Sequence, residues 1–174
     1  MPFTPYHFGP SACIALPLRK YIDIPVFILA NVVIDLEPLT VMVFGLNYPL
    51  HGYFHTLLGG AAVAVFWALI AYWRKNFFQR LMELFHVSYQ TGFGKILLSS
   101  LLGVWFHVVV DSILYTDIRP LWPLKTNPAY ALLNPQTVYL LCKISFLPAI
   151  AFYVVAVASY IKKDKYKKTI QKTT

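Results

Sequence analysis

The chain has 174 residues, 58% of them hydrophobic and only 13% charged, with a formal net charge of +8. Soluble domains carry about a quarter charged residues, so this composition excludes a globule wrapped in solvated side chains. Much of the positive charge lies in one tail, Lys162 to Lys172, directly after an apolar run, which favours a juxtamembrane anchor over a nucleic-acid surface.

Residues 6–18 form a short apolar run opened by Thr4-Pro5, a capping residue followed by proline at the first helical position. The run lacks the basic flank and small-residue cleavage site of a signal peptide, so a short, tilted or re-entrant helix of the mature protein is expected. Four longer apolar stretches follow, at residues 22–46, 56–73, 96–115 and 137–161. A membrane span needs about 20 mostly apolar residues, which each stretch supplies, with 56–73 at the short end. Cys13 and Cys142 both sit in apolar runs without a CxxC partner and read as small buried hydrophobes. The expected fold is all-α: a polytopic membrane helix bundle with four long transmembrane helices plus a short N-terminal helix. It forms one domain over residues 1–161, with a lysine-rich cytoplasmic tail over 162–174.

Loop charges set an orientation. Arg19-Lys20, the segment Arg74 to Lys95 and the tail are rich in Lys and Arg, whereas 47–55 and 116–136 hold only Arg119 and Lys125. The positive-inside rule puts the first set, and the C-terminus, in the cytoplasm of a multi-pass protein of the cell membrane. The rule is satisfied equally by five crossings with one short member and by four crossings with a cytoplasmic N-terminus. Tyr21, Tyr48, Tyr53, Tyr72, Trp73, Tyr115, Trp122 and Tyr160 fall at the span boundaries as interfacial belts do.

Acids are scarce, seven in all, so their positions carry information. Asp35 and Glu37 lie inside the apolar stretch Val26 to Phe44, where a charge costs about 3 kcal/mol. Glu37 precedes Pro38, and a residue before proline is pushed out of helical geometry, so a helix break is expected at 37–38. A break at that depth must be buried in protein or line a wet cavity. His51 and His55 are four apart, as are His107 and Asp111. On a helix each such pair shares one face, with Cβ atoms about 5–6 Å apart. His7 opens the short first helix. In the five-helix arrangement all of these residues fall in the outer half of the membrane or at its outer surface, where a cluster of imidazoles and carboxylates suits zinc, manganese or iron. Asp111 is placed to bridge two metals or orient water. A hydrogen-bonded polar network without metal remains the alternative reading.

The other polar residues take simpler readings. Asn31, one turn before Asp35, is a candidate hydrogen-bond partner behind it. Asp117 and Arg119 are expected to pair on the outer surface, with a role at the mouth of the cluster as the alternative. Asp23 follows Arg19-Lys20 at a helix start, which suits dipole and ion-pair roles. His86, near Glu83, reads as a solvated loop residue, and Gly59-Gly60-Ala61-Ala62 as a close helix contact.

The opening MPFTPYHFGPS, the segment NVVIDLEP, the motif HGYFHT, and FHVVVDSILYTDIRPLWP followed by NP carry a resemblance over about residues 1–135. Together they resemble the family of membrane-bound metal-dependent hydrolases that includes the LexA-regulated inner-membrane proteins of bacteria and many archaeal members. That family carries an early His, an acidic pair, a double-His motif and a His-x-x-x-Asp motif. Carried over, these fall on His7, on Asp35 and Glu37, on His51 and His55, and on His107 and Asp111. The order is also similar, remotely, to zinc-dependent phospholipase C and the single-strand-specific zinc nucleases. Many relatives read His-Arg-Gly-x-Thr-His-Ser where this chain has His51-Gly52-Tyr53-Phe54-His55-Thr56, so the arginine is absent and the histidines are one residue closer. Glu37 stands where a second Asp is common.

The resemblance implies a metal-dependent hydrolase in the membrane acting on a phosphoester or lipid-linked substrate. Its metal, zinc first with manganese or iron as alternatives, would be held by His7, Asp35, His51, His55, His107 and Asp111. Glu37 is expected as a further ligand or general base. The competing expectation is a non-enzymatic ion or proton transporter or scaffold using the same buried groups. The expected partners are the lipid bilayer and such a substrate, with no nucleic acid and the oligomeric state left open.

Overall fold

The computed structural model describes residues 5–173. Among these residues there are eight α-helices and no strand: α1 Phe8–Ala15, α2 Ile24–Ile34, α3 Leu36–Phe44, α4 Leu57–Trp73, α5 Lys75–Leu84, α6 Phe93–Leu114, α7 Pro135–Ile144 and α8 Phe146–Thr173. Single 3-10 turns at Pro5–His7 and Tyr53–His55 precede α1 and α4. Thr4, the expected cap of the first helix, lies outside the described residues.

Three segments are long and apolar enough to cross a membrane: Ile24–Phe44, Phe93–Leu114 and Pro135–Gln171. Leu57–Trp73 makes a fourth only together with Lys75–Leu84, from which it is bent by 74°. The chain is an all-α, multi-pass membrane bundle. Its eight-residue α1 rises only about 12 Å, less than half of a hydrocarbon core near 30 Å, and is too short to span it by itself. Large apolar side chains on the outside agree with lipid as the solvent: Phe44 is 71% exposed, Phe66 65% and Leu147 69%.

Proline interrupts two of the spans by one mechanism. A proline ring collides with the carbonyl four residues earlier and donates no N–H to it, so that carbonyl becomes the last of its helix. Pro38 thereby ends α2 at Ile34, and Pro148 ends α7 at Ile144. Helical bonding resumes at once, with Leu39 N–H donating to the Asp35 carbonyl at 3.1 Å and Ala149 N–H to that of Ser145 at 3.1 Å. The expected break at 37–38 is therefore found at Asp35. The residue that ends up between the helices is three before the proline, because the ring acts backward on the preceding turn.

The core is a three-helix contact, α6 lying between α2 and α4. Small residues let the backbones approach. A Cβ on Gly103 of α6 would stand 2.6 Å from the Phe27 carbonyl oxygen of α2, and one on Gly60 of α4 2.8 Å from Val104 of α6. Ala64, Ala68 and Ala71 continue the α4 seam, all fully buried. The α1 helix packs against α8 outside this trio.

The segment 74–95, expected as a basic loop, contains α5. This helix packs Phe78 and Met82 into the core and exposes Lys75, Asn76, Gln79, Arg80 and Glu83 together with Phe77 and Leu84, an amphipathic helix laid against the bundle. It ends in a left-handed residue, His86 at φ 53°. There the Val87 N–H bonds the Met82 carbonyl and the His86 N–H that of Glu83, a Schellman closure. The lysine-rich tail is likewise ordered, as the continuation of α8.

Connectivity gives the bundle two unlike ends. One gathers 16–23, 85–92 and the later turns of α8, tied by Tyr89 Oη donating to Asp23 at 2.8 Å and Lys95 Nζ to the Arg19 carbonyl at 2.8 Å. The other gathers residues 45–56 and 115–134, tied by the Leu57 N–H to the Pro120 carbonyl at 2.9 Å.

Candidate metal centre

At this second end four buried side chains converge. Asp35 stands at the break between α2 and α3, His55 in the 3-10 turn before α4, and His107 and Asp111 one turn apart on α6. One ligand atom from each lies within 4.8 Å of all the others. His107 Nε2 is 3.3 Å from Asp35 Oδ1 and 3.3 Å from Asp111 Oδ2, and His55 Nε2 is 3.9 Å from Asp35 Oδ1. Ligands on one tetrahedral zinc-sized ion at about 2.1 Å are separated by about 3.4 Å, so three of these approaches match ion-sharing distances within half an ångström.

The hydrogen-bond inventory supports the same reading. His55 Nε2 and both ring nitrogens of His107 are buried with no hydrogen-bond partner among the described residues. Their carboxylate neighbours are close but not aligned as acceptors. Buried polar atoms left unpaired cost about 1–3 kcal/mol each, so several in one place call for an occupant. Two imidazoles and two carboxylates form a donor set that fits a divalent ion.

The remaining expected residues surround this group. His55 Nδ1 donates to Glu37 Oε2 at 2.7 Å, and Glu37 also accepts from the backbone N–H groups of Phe54 and His55, each at 3.2 Å. Glu37 therefore orients His55 and holds its turn, as carboxylates behind metal-binding imidazoles do. It is not one of the four converging groups. His7 stacks on His107 with ring centroids 4.4 Å apart and reaches Asp111 Oδ1 through Nε2 at 3.1 Å. His51 donates from Nδ1 to Asp117 at 3.0 Å, its ring centroid 4.9 Å from that of His55. Of the six expected ligands, the structure brings Asp35, His55, His107 and Asp111 together and sets His7 and His51 beside them.

Several finer expectations are corrected. His51 and His55 do not share a helix face, because Gly52 takes a non-helical conformation (φ −90°, ψ −140°) between them. Asn31 donates to the carbonyls of Phe27 and Ile28 in its own helix, not to Asp35. Asp117 pairs with His51, and no ion pair joins it to Arg119 among the described residues. Asp23 does cap α2, accepting from Val26 N–H, but it takes the hydroxyls of Tyr89 and Thr91 in place of a basic partner. Asp117, whose alternative expectation was a role at the mouth of the cluster, stands there as the partner of His51.

Electrostatics separates the two loop histidines. Burial opposes charge on His55, but contact with Asp35 and the hydrogen bond to Glu37 outweigh it, and its pKa is raised. Burial and the neighbouring His55 lower the pKa of His51, and Asp117 only partly offsets them.

A cavity of about 420 Å³ opens beside the cluster, lined by Tyr48, His51, Tyr53, Asp117, Arg119 and Trp122 among others. A second of about 700 Å³, mostly apolar, runs between α3 and α4 past Glu37, Phe54 and Phe66, and shares Tyr48 with the first.

No family model, no curated protein and no solved structure matches this chain. Fold and site by themselves define its class: a multi-pass helical membrane protein with a buried histidine–carboxylate cluster able to hold a metal ion.

Proposed function

We propose that the chain is an integral-membrane, metal-dependent hydrolase acting on a phosphoester or lipid-linked substrate, with zinc as its metal and manganese or iron as alternatives. The observation that carries this reading is the set of unpartnered imidazole nitrogens facing buried carboxylates within a lipid-facing bundle. Asp35, His55, His107 and Asp111 would hold the ion, and Glu37 would fix the tautomer and aim of His55. A divalent ion bound there supplies Lewis-acid polarisation of an ester and acidifies water. Burial and the neighbouring His55 oppose a charge on His51, and its Nδ1–H bond to Asp117 leaves Nε2 as the atom able to take up a proton. Arg119, without a carboxylate partner among the described residues, offers the mouth a cation for an anionic group. The adjoining apolar cavity suits a hydrocarbon tail. The resemblance to membrane-bound metal-dependent hydrolases favours the same class, and the positive-inside rule favours a cytoplasmic C-terminus with the cluster toward the outer side.

The test is hydrolysis of phosphomonoester and phosphodiester amphiphiles by detergent-purified protein, with and without added zinc, manganese or iron. Metal-dependent turnover abolished in Asp111→Asn supports the reading, and metal-loaded protein inert on every such substrate removes it.

A second reading, a proton or ion carrier, draws on one observation. Imidazoles and carboxylates alternate without a gap from His7 through Asp111, His107, Asp35 and His55 to Glu37, with separations of 3.1, 3.3, 3.3, 3.9 and 2.7 Å. Flux across proteoliposomes by metal-free protein, lost in Asp35→Asn, would favour it.

A further inference from the structure

At the end of the bundle away from the cluster, a cavity of about 560 Å³ is lined by four cations, Arg19, Lys20, Lys95 and Lys163, against one carboxylate, Glu83. None of the four makes an ion pair with a carboxylate among the described residues. Glu83 is already engaged by Gln79 at 3.1 Å. The cations come from the turn after α1, the start of α6 and the lysine-rich part of α8, three segments that only the fold brings together.

A second cavity, about 490 Å³ and almost wholly apolar, adjoins the first. It runs between α1, α2, α5 and α8, lined by residues such as Leu16, Ile28, Phe85, Phe146 and Tyr153. Val87 lines both spaces, and Leu16 and Met82 of the groove neighbour Pro17 and Glu83 of the basic cavity in sequence. The junction is built: the Schellman closure of α5 places Val87 there, and Tyr153 Oη donates to the Phe85 carbonyl at 3.0 Å, fixing α8 against it.

We infer that these joined spaces bind one anionic phospholipid of the adjacent leaflet, its phosphate among the four cations and a hydrocarbon chain in the groove. Charge complementarity selects this occupant: a zwitterionic lipid satisfies the groove but brings its own cation to a basic cavity. Each basic residue near an anionic lipid surface contributes about fivefold in affinity. The site is separate from the metal cluster and does not depend on the proposed reaction.

The experiment is native mass spectrometry of the full chain in mild detergent, titrated with phosphatidylglycerol or phosphatidylcholine of identical chains. Phosphatidylglycerol is expected to bind at least about tenfold tighter, and the preference to weaken with salt. Lys20→Glu with Lys163→Glu, both exposed positions, is expected to abolish it, whereas Lys125→Glu at the opposite end leaves it intact. Glu83→Lys works in the other direction and is expected to tighten phosphatidylglycerol about fivefold. Equal affinity for the two lipids overturns the proposal, as does a preference that survives the double charge reversal or ignores Glu83→Lys. Displacement of the lipid by millimolar glycerol phosphate would equally overturn it, since a headgroup without chains would then suffice.

Discussion

His55 gives its Nδ1 proton to Glu37 at 2.7 Å and leaves Nε2 buried, without a hydrogen-bond partner, 3.9 Å from Asp35. One ring nitrogen is thus committed and the other held open, the arrangement that prepares an imidazole for a metal. The relation crosses two chain segments, since Glu37 lies in α3 and His55 just before α4.

Glu37→Gln tests that arrangement. The amide keeps the size of the side chain but removes the charge that fixes the His55 tautomer. Metal affinity, read by competition with a chelator, is expected to fall about 10- to 100-fold while the protein still folds. Unchanged affinity would make Glu37 a support for the turn alone.

Metal binding is expected to strengthen with pH. In the metal-free protein the raised pKa of His55 means that a proton occupies the imidazole at pH values where an ordinary histidine has lost it. That proton must leave before Nε2 can coordinate, so affinity rises as pH climbs through the raised pKa and falls below it. Calorimetric titrations at about pH 5.5 and 7.5 are expected to differ at least tenfold. Equal affinities at the two values would place His55 outside the coordination set.

The packing of α6 on α2 is tested by Gly103→Ala. Its new methyl would lie 2.6 Å from the Phe27 carbonyl oxygen, a backbone atom that cannot rotate aside. A loss of about 1–3 kcal/mol is expected in detergent unfolding, against little change for Gly94→Ala, where a Cβ meets nothing within 4 Å.

The two ends of the bundle are expected to face opposite sides of the membrane. With Cys13 and Cys142 replaced, single cysteines at Lys125 and at Lys163 should be labelled by an impermeant reagent from opposite sides of sealed vesicles. Labelling of both from one side would contradict the assigned crossings.

Composition made the architecture legible: apolar stretches of span length leave few alternatives for a chain with so little charge. Sequence spacing also revealed His107 and Asp111, because both sit on one uninterrupted helix. It did less well wherever the backbone leaves the helix. The break falls at Asp35 because Pro38 acts on the turn behind it. His51 and His55 meet as rings although Gly52 denies them a shared helix. The amphipathic α5 was legible in principle, since Phe77, Leu81 and Phe85, and Phe78 and Met82, recur four apart, but its charged residues made the segment read as a basic loop. The bond between His51 and Asp117 joins residues 66 positions apart, and no local pattern encodes it.

The most direct measurement is metal content by inductively coupled plasma mass spectrometry on detergent-purified protein, offered zinc, manganese and iron in turn and then desalted. At least about one ion per chain is expected, falling below about 0.2 in His107→Ala with the fold retained. Less than about 0.2 ion per chain in the unaltered protein under every metal, or a content untouched by His107→Ala, would contradict the assignment of Asp35, His55, His107 and Asp111 as a metal centre.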